Sequence, residues 1–140
     1  MKSSCTVLIC DDHSEFRDLV KHTLKRTPHI QVIGEAGNGK EAVEKALRLR
    51  PHVVLMDLSM PELGGLEATR RIRKASRRIR VLVVSGFPGE DLGPSCLDAG
   101  ASGYFCKYTP LSQLSQAIET VRKGHRYVSP DMCERVSRAY

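Results

Sequence analysis

The sequence predicts a doubly wound α/β domain, and two observations carry that expectation. Short apolar runs alternate with amphipathic stretches along the 140 residues, a βα series of five strands. The runs are near-continuously apolar rather than alternating, as strands are when helices cover both faces of a parallel sheet. The length suits one domain with its own core. An apolar fraction of 41% and a charged fraction of 27% belong to a globular chain rather than a disordered one.

The elements follow in order. "TVLIC" (6–10) reads as the first strand, and "SEFRDLVKHTLKR" as a helix with Phe16, Leu19, Val20, Thr23 and Leu24 on one face. Ser14 is the expected N-cap, and Pro28 lies just beyond the helix. "IQVIGEA" is the second strand. Asn38 opens the second helix, which turns Ala42, Val43, Ala46 and Leu47 inward and ends at Pro51. "HVVLMD" is the third strand, followed by a helix with a weaker apolar face (Leu66, Thr69, Ile72). "RVLVVSG" and "SGYFCK" are the fourth and fifth strands.

Gly93-Pro94 falls where the fourth helix is due. Proline costs about 3 kcal/mol inside a helix, so that helix is expected to be short, irregular or late-starting. The last helix aligns Leu111, Leu114, Ile118 and Val121 and stops at Gly124. Ser129-Pro130-Asp131 looks like the start of a further helix.

Composition narrows the function. No apolar run approaches the roughly 20 residues a membrane helix needs, and "MKSSCTVLIC" is a poor signal peptide. A cytoplasmic location and no membrane partner are expected. The five cysteines form no CxxC pair, and Cys10 and Cys106 lie in apolar runs, where a cysteine is usually a small buried hydrophobe. The net charge of +6 is concentrated in "RRIRKASRRIR", residues 70–80. A solvated helix face and its exit turn are preferred there over a nucleic-acid or acidic-protein contact, and no aromatic residues interleave for base stacking. "GEAGNGKE" (34–41) nearly matches a phosphate-binding loop but has Glu41 where a hydroxyl is required. It is read as a turn and a helix start.

In doubly wound sheets the ligand sits beyond the carboxyl ends of the strands. There the first strand presents Asp11 and Asp12, the third Asp57, the fourth Ser85 and the fifth Lys107. Clustered carboxylates repel unless they share a cation, and hard oxygen ligands suit Mg²⁺. Ser85 and Lys107 can hold phosphoryl oxygens, and a carboxylate can be the nucleophile that takes the group. Singly, each has a bland reading as a cap, a turn former or a polar strand exit. Their joint position on four strand ends makes phosphoryl chemistry the stronger reading.

"LICDDH", "VVLMDLSMPELGGLEATRRIR", "VLVVSG" and "AGASGYFCK" resemble the receiver domain of bacterial two-component response regulators, over residues 5 to 125. The resemblance implies a flavodoxin-like five-stranded parallel sheet of order 2-1-3-4-5 with helices on both faces. It implies that Asp57 accepts a phosphoryl group from a sensor histidine kinase. Asp12, Asp57 and the backbone carbonyl of Ser59 would ligate Mg²⁺, with Asp11 acting through water. Ser85 and Lys107 would grip the phosphoryl group, and Ser85 and Tyr104 would form the conformational switch. Pro61 and Gly65 match the loop after the acceptor, and Phe87 stands near the path of the hydrolytic water.

"GASGYFCK" (100–107) and "PLSQLSQAIETVRKGHRYVSPDM" (110–132) resemble regulators of the nitrate-regulator type, which carry a C-terminal helix-turn-helix. Residues 1–125 would then be the receiver, and 126–140 the start of a linker helix toward a DNA-binding helix-turn-helix domain absent from this chain. Transcriptional control and a possible homodimer are implied, and DNA would be reached only through that absent domain. Such a domain is a phosphoacceptor rather than a turnover enzyme. The rivals are a phosphorylation-independent interaction module and an aspartyl-phosphate phosphatase. The latter is disfavoured because Ser59, not an acid, lies two residues past Asp57.

Overall fold

The structure is a computed structural model that describes residues 4–86 and 93–129. Its strands are β1 (Cys5–Cys10), β2 (Ile30–Ala36), β3 (Val53–Met56), β4 (Arg80–Ser85), β5 (Gly103–Cys106) and β6 (Tyr127–Val128). The helices are α1 (Ser14–Leu24), α2 (Gly39–Leu49), α3 (Gly65–Ala75), α4 (Gly93–Asp98) and α5 (Leu114–Arg122), the last entered through a 3-10 turn. All neighbouring strands pair in parallel, in the order β2-β1-β3-β4-β5-β6.

The expected flavodoxin-like order is therefore present, with a sixth strand that the five-strand expectation lacks. Tyr127–Val128 pairs with Gly103–Tyr104. The buried Ser129 hydroxyl accepts a 2.9 Å bond from the Cys106 N–H. Two residues carry too little pattern to read as a strand, and their apolar side chains gain a place only from the β5 edge. Pro130 and Asp131, read as a helix start, lie outside the described residues.

Because the strands are apolar on both faces, the sheet separates two cores. On one side Val7, Ile9, Leu55, Leu82 and Phe105 meet Val20 and Leu24 of α1 and Leu114, Ile118 and Val121 of α5. On the other, Leu8, Val54, Met56 and Val83 meet α2, α3 and α4 through Ala42, Ala46, Ala68, Ile72 and Cys96. Two positions assigned to helix faces turn outward instead, Leu19 at 51% and Leu47 at 36% exposure. The N-cap of α1 is His13, one residue before the expected Ser14, whereas Asn38 caps α2 by accepting from the Glu41 N–H at 2.8 Å. The fourth helix is short, six residues long. Cys5, Cys10, Cys96 and Cys106 are free and buried, and burial pushes the Cys5 and Cys96 thiols up to about 11.

Candidate functional site

The sheet ladder continues one residue past several strands, and those residues carry the chemistry. The Asp11 N–H donates to the Ala36 carbonyl, Asp57 to Cys10 and Lys107 to Ser85, each at 2.9 Å. Three backbone positions are thus fixed by the same hydrogen bonds that define the sheet. Their side chains project over its carboxyl edge, where Asp11 is 2% and Asp57 4% exposed.

The charges are arranged around Lys107. Its Nζ lies 2.8 Å from Asp11 Oδ2 and 3.8 Å from Asp57 Oδ1, and 4.3 Å from the Phe16 ring centroid, which gives the ammonium an aromatic face as well. Burial, and then the negative charge of Asp11, raise the Asp57 carboxyl above its ordinary range. Lys107 and a backbone N–H of Ser59 pull it back in part, and Asp12 adds to the rise. A carboxylate held this way gains from any cation that enters beside it.

Oxygen atoms of Asp11, Asp12 and Asp57 and a ring nitrogen of His13 all lie within 4.8 Å of one another. This donor set, dominated by carboxylates, fits a hard divalent cation such as Mg²⁺. Three acids with one partly shared lysine leave negative charge for it to neutralise. His13 was not singled out from the sequence. Its Nδ1 stands 3.2 Å from Asp11 Oδ1 and 3.0 Å from Asp12 Oδ1. The only signal was its place directly after the two acids in "DDH".

Ser85 ends β4 fully buried, in register with Cys106. Tyr104, two positions before Cys106 on β5, is 3% exposed. Its side chain is hydrogen-bonded to that of Ser85, and burial is the main cause of the raised Tyr104 hydroxyl pKa. The two residues expected to form a switch are therefore in contact, with the ring turned inward.

The loop after Asp57 is clamped from two sides. A Cβ on Gly65 would lie 2.0 Å from the Asp57 carbonyl oxygen, so only glycine lets α3 start against the acceptor strand. A Cβ on Gly39 would lie 1.8 Å from the Leu63 carbonyl oxygen. The Gly39 and Lys40 N–H groups donate to the Pro61 and Glu62 carbonyls at 3.2 and 3.0 Å. Glu62 and Leu63 have positive φ, 49° and 90°, strain that this clamp holds in place. The stretch 34–41, read as a turn and a helix start, is that, and it also braces the acceptor loop. Phe87 lies outside the described residues.

The family model described as the response regulator receiver domain matches residues 7–119. The response regulator GacA of Pseudomonas viridiflava is 39% identical over 131 residues, 94% of this chain and 61% of that protein. The response regulator UvrY of Escherichia coli (strain K12) is 34% identical over 131 residues, 94% of this chain and 60% of that one. A solved LuxR-family two-component response regulator from Aurantimonas sp. SI85-9A1 superposes with a TM-score of 0.93 at 34% identity, over 97% of both chains. This chain spans 61% of the first of these relatives and 60% of the second.

Proposed function

The chain belongs to the response regulator receiver domain family, and from that premise we propose that Asp57 accepts a phosphoryl group from a sensor histidine kinase. One observation carries the assignment. Asp57 is buried at the end of β3, within 4.8 Å of the Asp11–Asp12–His13 donors and 3.8 Å from the Lys107 ammonium. Receiver domains are regulatory rather than classical enzymes, and the arrangement suits a single group transfer at the chain's own aspartate.

In the transfer, the N–P bond of a kinase phosphohistidine breaks as a bond forms from an Asp57 carboxylate oxygen to phosphorus. The imidazole leaves with the electron pair. Asp12, Asp57 and the Ser59 carbonyl would hold Mg²⁺, with Asp11 engaging it through water. The bound ion would supply charge neutralisation of the phosphoryl oxygens. Lys107 pairs with a phosphoryl oxygen as a point charge. The Ser85 hydroxyl, now bonded to Tyr104, exchanges that partner for a phosphoryl oxygen, which couples chemistry at Asp57 to the buried ring. Such a switch re-forms the surface around β5.

The expected receiver ends at residue 125, but β6 and the buried Ser129 belong to its sheet, so in this reading the lead toward a DNA-binding domain outside this chain starts after residue 129 rather than at 126. The output is transcriptional, through that domain and a possible homodimer, in the cytoplasm. Among the described residues no helix is long and apolar enough to cross a membrane. The test is reductive trapping. Borohydride converts an aspartyl phosphate to homoserine, and peptide mapping after acetyl phosphate treatment is expected to place homoserine at position 57. Homoserine at position 11 or 12 instead would refute the assignment.

A further inference from the structure

The end of the sheet opposite Asp57 has the reverse charge. Of the five connections that lead from a helix into the next strand, four carry Lys25, Arg26, Arg50, Arg77, Arg78, Lys123 and Arg126, the α4–β5 connection is uncharged, and none holds an aspartate or glutamate. Every one of these cations is exposed. Asp98 ends α4, and Glu119 of α5 is engaged with the α1–β2 connection, its Oε1 2.7 Å from His29 Nε2. Widely separated stretches of sequence meet here. An Arg80 guanidinium nitrogen would lie 3.6 Å from a Cβ on Gly124, which joins the α3–β4 and α5–β6 connections. Arg122 acts electrostatically on His52, which brings in the α2–β3 connection.

Cations do collect at helix C-termini to complement the macrodipole, and this accounts for Lys25, Arg50 and Lys123. It does not account for Arg77, Arg78 or Arg126, which lie past the last helical turns. The Arg73 guanidinium donates to the Arg77 and Ile79 carbonyls at 2.6 and 2.7 Å, which ties down the connection that displays Arg77 and Arg78. Burial, and then the charges of Arg80 and Arg77, depress the Arg73 pKa.

We propose that this basic end is a binding surface for the phosphodiester backbone of duplex nucleic acid, read without base specificity. Arginine matches phosphate as a bidentate fork, and five of the seven cations are arginines. The five connections hold no Phe, Tyr or Trp, so they offer single-stranded bases nothing to stack on. Among the described residues the exposed large hydrophobics are Leu19, Leu47 and Tyr108, none of them in these connections. The core of a protein interface is depleted in charge and enriched in aromatic residues, and an amphipathic membrane-binding helix inserts apolar residues. A phosphate lattice needs neither. This reading keeps residues 70–80 a solvated face, as expected, and adds a ligand to it, because Arg80 ties that segment to two other basic connections through the His52 carbonyl and Gly124. It departs from the expectation that DNA is reached only through the absent domain.

The experiment is fluorescence anisotropy of a labelled duplex of arbitrary sequence, titrated with the chain at several salt concentrations. Arg77→Glu/Arg78→Glu and Lys123→Glu/Arg126→Glu are each expected to weaken binding about tenfold or more and to flatten the slope of log K against log salt by about 1.8. Arg77→Lys/Arg78→Lys retains most of the affinity, and Lys40→Glu, on the far side of the sheet, changes it little. No binding at low salt would overturn the proposal, as would reversals that leave the affinity unchanged. Polyglutamate or anionic vesicles bound as tightly as the duplex would overturn it equally.

Discussion

The two ends of the sheet carry opposite charge, and they hold it differently. At the carboxyl edge, Asp11 and Asp57 are nearly fully buried, pinned by ladder hydrogen bonds and set within reach of one lysine. At the opposite end the cations are exposed and sit on connections that follow helices. The first arrangement disfavours charge until a counter-ion or phosphoryl group completes it. The second is hydrated, costs little to keep, and acts through its summed field. Buried charge suits chemistry at one atom, whereas spread charge suits an extended partner.

Substitutions break this contrast to different degrees. The largest stability effects belong to the glycines behind the acid edge. Gly39→Ala and Gly65→Ala each drive a Cβ into backbone, at 1.8 and 2.0 Å, and an overpacked rigid site costs about 3 kcal/mol. Urea denaturation would show the loss, with the Asp57 loop displaced in the folded fraction. Lys107→Met comes next. It leaves the buried Asp11 carboxylate without its 2.8 Å partner, a loss of about 2 kcal/mol once the lysine's partial exposure is discounted, read in the same assay.

Asp57 provides a pH test whose sign is opposite to that of a salt-bridged carboxylate. Its folded-state pKa is raised above the ordinary value of 3.8, so the folded chain binds the proton more tightly than the unfolded one. The destabilisation is therefore fully present above the raised value, and it disappears as pH falls through that value toward 3.8. Asp57→Asn is expected to melt above the wild type at neutral pH, with the gap closing in acid. Mg²⁺ should raise the wild-type midpoint more than the variant's. At the basic end, Arg78→Ala is expected to shift stability by no more than about 0.5 kcal/mol, measured by the same melts, because an exposed cation in a connection holds nothing together.

The difference between the ends also explains what the sequence made legible. Strands were readable because burial on both faces leaves an unbroken apolar run, and the acids stood out as interruptions at the ends of those runs. Leu19 and Leu47 were misplaced because helical spacing alone does not fix how wide the buried stripe is. β6 was not readable, since Tyr127 and Val128 are a strand only beside β5. His13 stood beside two acids in the sequence, but only the fold sets its Nδ1 against both Asp11 and Asp12. The bracing role of Gly39 depends on a loop more than twenty residues away, and the basic end on four connections spread from Lys25 to Arg126. Local pattern finds chemistry gathered at strand ends; it does not find surfaces assembled from distant connections.

The most direct test of the acid edge is the intact mass of the chain after incubation with acetyl phosphate, with and without Mg²⁺, beside Asp57→Asn. A single phosphoryl adduct that requires Mg²⁺ and is absent from the variant is the expected result. An adduct that persists in Asp57→Asn, or none on a folded chain that binds Mg²⁺, would contradict the account.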